Sequence, residues 1–201
     1  MCFGKCAKCI GYQLLILAIL CIVANILLYF PNGETKYAEN NQLGRFVWLF
    51  QGIIGAGVLM FFPAAVFIGL ESNNCFGYGH KRCGKSTAVL SSILAAILGL
   101  ASAGYCLIIS SLGLVEGPYC LTNNNTWVYP YGNASYFYLA DHSTWSECVE
   151  PKNVVVWNVT LFSILLGLSA IQVILCIIQL INGFIGGIFG CCAENKQSLI
   201  C

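Results

Sequence analysis

The sequence predicts an all-α polytopic membrane protein, a four-helix transmembrane bundle with a small disulfide-stapled loop region. Three observations carry that prediction. Only 8% of the 201 residues are charged, against roughly one-quarter in a soluble domain. The charges are segregated, because no Asp, Glu, Lys or Arg occurs in 9–33, 46–70, 86–115 or 153–193. Two cysteines, Cys120 and Cys148, fall in the longest interval between those stretches.

Each charge-free stretch holds enough apolar chain to cross a ~30 Å hydrocarbon core, which takes ~20 helical residues. Only a helix satisfies that many backbone amides within one lipid-embedded segment. The spans are expected at about 10–30, 46–70, 88–114 and 159–181, within a single domain covering 1–201. The first is read as a retained span. Its apolar core exceeds the ~7–15 residues of a signal peptide, and no A-x-A-like cleavage site follows it.

Four spans place both termini on one side, and lysine and arginine choose which. Lys5, Lys8, Lys81, Arg82, Lys85 and Lys196 share the side of the termini; Lys36, Arg45 and Lys152 lie opposite. Six against three predicts cytoplasmic termini, an inner loop at 71–87 and a tail at 182–201. The outer loops are then a small one, 31–45, and a large one, 115–158. Net charge is +1, and with no basic stripe to follow a phosphate backbone, no nucleic-acid partner is expected.

This threading sorts the thirteen cysteines. Cys120 and Cys148 alone face an oxidising exterior, so they are expected to pair, and a bridge of this span contributes roughly 3–4 kcal/mol. Cys21, Cys106 and Cys176 fall inside spans, where a thiol packs as a small hydrophobe. Cys2, Cys6, Cys9, Cys75, Cys83, Cys191 and Cys192 lie near helix ends on the inner side, the usual setting of palmitoylation. A zinc site built on Cys6, Cys9, His80 and Cys83 is disfavoured, because seven residues separate Cys75 from Cys83 and no tight second pair exists. No metal and no cofactor are expected. Prenylation and myristoylation fail on the position of Cys201 and on the Met-Cys start.

Within the spans, Gly52 and Ala56, then Ala95, Gly99 and Ala103, then Gly183 with Gly187 and Gly186 with Gly190, recur at close-packing intervals. Asn25, Gln51, Gln172, Gln179 and Asn182 are polar, and interhelical hydrogen bonds are their expected use. The competing use is an ion or substrate path, which normally needs an ionisable residue that no span has. Pro63 is expected to kink the second span. Catalytic residues are not found: His80 and His142 fall on opposite sides, and Asp141 is the sole aspartate.

The large outer loop carries Tyr119, Trp127, Tyr129, Tyr131, Tyr136, Tyr138 and Trp145. Aromatics anchor interfaces, but they also build small cores and membrane belts. Thr144 to Glu147 fits a capping box, which predicts a short helix stopped by Pro151 and shared by Trp145 and Cys148. Asn124 and Asn133 head accessible glycosylation sequons; Asn158 heads a third, set against the fourth span.

The stretches NILLYFPNGETKYAEN (25–40), FFPAAVFIGLE (61–71), GYCLIISSLGLVEGPYC (104–120), STWSECVEP (143–151) and VVWNVTLFSILL (155–166) resemble the transmembrane four L-six family. That family shares the layout of the tetraspanins. True tetraspanins carry Cys-Cys-Gly and at least four cysteines in the large outer loop, whereas this loop has two cysteines. The resemblance implies a plasma-membrane or endosomal glycoprotein without assigned catalysis. Its implied partners are membrane lipids, tetraspanins, integrins and other receptors, through which it influences adhesion, migration and proliferation. Family members often carry Cys-Cys-Gly in the inner loop, where this chain has Cys75 alone before Gly77. The alternative function is a transporter accessory or a small-solute or lipid carrier with a cavity lined by Asn25 and Gln172. The tail Ser198 to Cys201 offers a free carboxylate to a PDZ sheet edge.

Overall fold

The computed structural model describes residues 2–70, 83–132 and 137–197, and the side chains within them except at 2–5, 83–86, 137, 142 and 186–197. The long helices are α1 (Cys2–Tyr29), α4 (Cys83–Glu116) and α6 (Val154–Gln197). A short α2 (Lys36–Glu39) follows α1, and α3 (Met60–Gly69) forms the far half of the second span. Four segments are long and apolar enough to cross a membrane: Cys6–Tyr29, Val47–Gly69, Thr87–Glu116 and Val154–Ile185. Four spanning segments were expected and four candidates are found. The stretch INGFIGGIFGCC continues α6 rather than ending it.

These helices are apolar all round, which suits a solvent that is itself apolar. Ile16, Ile19, Val58, Leu94, Ile108 and Ile174 point outward, each at least half exposed. The inward faces carry smaller residues. Ala7, Ala18, Ala64, Ala95, Ala96 and Ala103 are buried in one cluster with Leu14, Met60, Phe67 and Cys176. Backbones therefore come close, as packing without a hydrophobic drive requires. A Cβ on Gly99 would lie 2.6 Å from Cys176 Sγ.

The second span departs from a simple helix. Val47–Leu49 is a single 3-10 turn, Phe50 is left-handed at φ 48, and Gln51–Leu59 is a nine-residue π-helix. The expected helix over 46–70 is thus continuous only in direction. Its sequence explains part of this: Gly52, Gly55 and Gly57 lower the penalty of an unusual register. Pro63 has no N–H to return to the Leu59 carbonyl, so the α-helical ladder is interrupted where the π-helix stops.

The four-helix bundle carries a cap at the ends of α1, α4 and α6. Three short strands, β1 (Cys120–Thr122), β2 (Trp127–Val128) and β3 (Cys148–Glu150), form an antiparallel sheet in the order β2-β1-β3. An all-α reading missed this sheet, because strands of two or three residues are too short for an alternation signal. Between β2 and β3 lie α5 (Phe137–Ala140) and a 3-10 helix, His142–Glu147. The capping-box expectation needs correction here. Asp141 is the cap, its Oδ1 accepting from Ser143 N at 3.0 Å and from Ser143 Oγ at 2.6 Å. The helix is over before Cys148, which sits on β3, so Trp145 and Cys148 do not share it.

Candidate functional site

The cap is held by one covalent tie. Cys120 on β1 and Cys148 on β3 are bonded, with Cα atoms 5.6 Å apart. The paired strands run Leu121 opposite Glu150 and Thr122 opposite Cys148. Beneath them Tyr131 and Tyr138 stack at 4.5 Å between centroids, buried with Cys120, Val154 and Val155. Tyr131 donates to Thr144 O at 2.9 Å, Tyr138 to Leu114 O, and Trp145 Nε1 to Tyr138 O at 2.6 Å. Burial pushes the Tyr131 and Tyr138 phenols up to about 12, with Glu147 adding to the first and Tyr131 to the second.

Most of the described loop aromatics are therefore the cap's own core rather than free anchors. Tyr119 packs on Trp127 and Tyr129 at 5.7 and 4.8 Å. Tyr136 lies outside the described residues. Val115, Val128, Val149 and Val156 are the exposed large apolar residues among the described part of this loop.

The cap is bolted to the bundle. Arg45 grips the Glu116 carboxylate through both its Nε, at 2.9 Å, and its Nη2, while its backbone N–H donates to Tyr129 Oη at 2.9 Å. Trp157 Nε1 donates to Leu27 O at 2.9 Å, and Asn32 Nδ2 to Lys152 O at 2.6 Å. Tyr29 Oη donates to Val47 O at 2.8 Å. Sequence reasoning missed the Arg45–Glu116 pair. The only available signal was two opposite charges, each flanking a span at the same boundary.

Inside the bundle, the polar side chains hold helices together. Asn25 Oδ1 accepts from Ile53 N at 3.3 Å, and Gln172 Nε2 donates to Ala56 O at 2.9 Å, so α1 and α6 both grasp the π-helix. Gln179 Nε2 donates to Ser92 Oγ at 3.1 Å, and Asn182 Nδ2 to Cys6 Sγ at 3.4 Å. Gln51 is fully buried without a hydrogen-bond partner among the described residues. Asn25 and Gln172 are also fully buried. Neither lines the two cavities found at the cap.

The family profile described as L6 membrane protein matches residues 1–193. The chain belongs to the L6 membrane protein family. Transmembrane 4 L6 family member 1 of Homo sapiens is 59% identical over the whole of both chains. Transmembrane 4 L6 family member 4 of Rattus norvegicus is 48% identical over 96% of this chain and 94% of its own. Transmembrane 4 L6 family member 18 of Bos taurus is 43% identical over 88% of each. No solved structure matches the chain.

For this L6 chain the remaining expected sites are distributed as follows. Cys6 and Cys9 are free and exposed on α1. Cys2 begins α1, Cys83 begins α4, and Cys191 and Cys192 lie on the last turns of α6, all at the end of the bundle opposite the cap. Cys75 and the zinc candidate His80 lie outside the described residues, as do Asn133 and the tail from Ser198. Asn124 is exposed in the turn between β1 and β2. Asn158 is only 7% exposed on α6, lining a small cavity with Leu28, Pro31 and Trp157. Among the described residues no cluster of His, Cys, Asp and Glu has the grouping of a metal site.

Proposed function

We propose that this L6 protein is a non-enzymatic membrane organiser that associates laterally with tetraspanins, integrins or other receptors and so influences adhesion, migration and proliferation. One observation carries the reading: Asn25, Gln172, Gln179 and Asn182 each hold a neighbouring element of the bundle, while a folded, stapled cap and outward apolar helix faces form the surface of the described residues. A transport accessory or carrier would need a polar cavity between spans. Asn25 and Gln172 are instead buried and bonded to the π-helix.

The proposed setting is the plasma membrane with an endosomal or lysosomal pool, termini in the cytoplasm and the cap outside. The excess of Lys and Arg at the terminal end supports this. Exposure supports a glycan at Asn124, and the sequon at Asn133 is a second site; burial argues against Asn158. Acyl chains are proposed on Cys2, Cys6, Cys9, Cys75, Cys83, Cys191 and Cys192. Exposure of Cys6 and Cys9 beside the first span supports that chemistry. On a chain already anchored by four spans, acylation tunes lateral position rather than attachment. The C-terminal carboxylate is a candidate ligand for a PDZ protein.

The test replaces Cys2, Cys6 and Cys9 by Ser in the full chain and measures acyl incorporation and receptor co-isolation from membranes. Both are expected to fall together. Unchanged values for both would overturn the reading.

A further inference from the structure

The larger of the two cap cavities is an open groove of about 380 Å³ where the cap meets the start of α6. That volume is in the ~300–1,000 Å³ range of small-molecule sites. Trp145, Cys148 and Val149 form one wall; Lys152, Asn153 and the valines 154–156 form the other. Trp145 has already given its indole N–H to Tyr138 O, so it offers ring surface.

Two features say what such a groove holds. The first is continuity with the lipid-facing surface. Val154 begins the membrane-crossing segment, so the groove lies at headgroup level. Val156, which lines it, is 46% exposed, and Thr160, Ile164, Gly167 and Ile171 continue the same exposed stripe down α6. The second is charge. The cap end has three cations: Lys36 pairs with Glu34 at 2.7 Å, and Arg45 pairs with Glu116. Lys152, among the described residues, is in no ion pair, and it is the only ionisable side chain lining the groove.

We propose that the groove seats the phosphate-bearing headgroup of one phospholipid from the cap-side leaflet, with an acyl chain laid along the α6 stripe. Lys152 supplies the ammonium for the phosphate oxygens, and the Asn153 side-chain amide is a neutral donor beside it. The valines and the Trp145 ring take the glycerol and the first methylenes. The disulfide fixes β3, and so holds the Val149 wall at a set distance from α6.

The experiment uses the full chain in nanodiscs of phosphatidylcholine and counts, by native mass spectrometry, the lipid molecules retained after release. One tightly held phosphatidylcholine is expected, and Lys152→Ala should weaken its retention about fivefold, the worth of one lysine–anion contact near a membrane surface. Lys152→Arg should restore it. Ser146→Trp, which fills the groove without touching the charge, should remove it. A galactosyl diacylglycerol with the same chains but no phosphate should be held no better by the wild type than phosphatidylcholine is by Lys152→Ala. Intact Cys120–Cys148 bonding and an unchanged unfolding temperature confirm that each variant is folded. Equal retention by wild type and Lys152→Ala, or equal retention of the phosphate-free lipid, overturns the phosphate assignment. Retention unaffected by Ser146→Trp overturns the groove.

Discussion

Gly52 gives the sharpest mechanical test of the bundle. A Cβ at this position would lie 2.7 Å from Asn25 Cβ, 2.7 Å from the Cys21 carbonyl oxygen and 2.8 Å from Leu165 Cδ2. Each is 0.6–0.7 Å short of the 3.4 Å at which ordinary contact begins. Because one of the three is backbone, rotating a side chain does not relieve the clash, and α1 must retreat. Retreat also stretches the Asn25–Ile53 hydrogen bond, already 3.3 Å. Overpacking costs about 1–3 kcal/mol and the lost hydrogen bond about 0.5–1.5 kcal/mol, so Gly52→Ala should destabilise by roughly 2–4 kcal/mol. For a chain of this size that lowers the unfolding temperature by on the order of 10 °C. Gly104 and Gly167 are the controls, since a Cβ there meets nothing within 4 Å. Alanine at either should be neutral or stabilising by up to about 1 kcal/mol, the helix-propensity gain. Thermal unfolding followed by tryptophan fluorescence in nanodiscs reads all three. Gly52→Ala unfolding at the wild-type temperature, or Gly104→Ala falling as far as Gly52→Ala, would refute the packing argument.

Three further outcomes are expected. Replacing Cys120 and Cys148 together by Ser frees a 28-residue separation and should cost about 3–4 kcal/mol in cap stability, read as faster limited proteolysis between β1 and β3. Arg45→Ala should cost about 1 kcal/mol, and less at high salt, because the Arg45 side chain is 69% exposed even though Glu116 is only 14% exposed. The salt dependence of unfolding, compared with Glu116→Gln, checks this. Tyr131 and Tyr138, held protonated up to about 12 against an ordinary value near ~10, keep protons that the unfolded chain has released. Their contribution is therefore full below pH ~10 and is lost as pH rises from ~10 to ~12. A 295 nm titration should show these two phenols ionising late, and Tyr131→Phe with Tyr138→Phe should remove that late phase.

The bundle was legible because lipid imposes a coarse, one-dimensional rule: a segment crosses or it does not, and the positions of seventeen charged residues answer the question. The disulfide was legible for a similar reason, since threading left two thiols on one side. The use of Asn25, Gln172, Gln179 and Asn182 as ties between helices followed from the cost of unbonded polar groups in hydrocarbon. The π-helix was not legible. Gly52 with Ala56 and a proline at 63 read as close packing and a kink, and choosing between bonding ladders depends on which neighbours reach the Ile53 amide and the Ala56 carbonyl. The same limit applied in the cap. Thr144 and Glu147 have capping-box spacing, but Asp141 sits earlier in the chain with Ser143 within reach of its carboxylate, and it took the cap. The inward turn of Tyr131 and Tyr138 on each other was also beyond the sequence, because one lies in a turn after β2 and the other on the four-residue α5, neither long enough to carry a periodic signal.

The ties between the first and last spans have a consequence for the order of synthesis. Trp157 reaches Leu27 across 130 positions and Asn32 reaches Lys152 across 120. At ~5–20 residues per second, a ribosome needs roughly 6–26 seconds to go from one end of the longer tie to the other. Throughout that interval the tip of the first span stands in the bilayer without its clasp, and any chain released before the fourth span emerges stays open. Completion of the cap thus waits, through two hydrogen bonds, until residue 157 has been made.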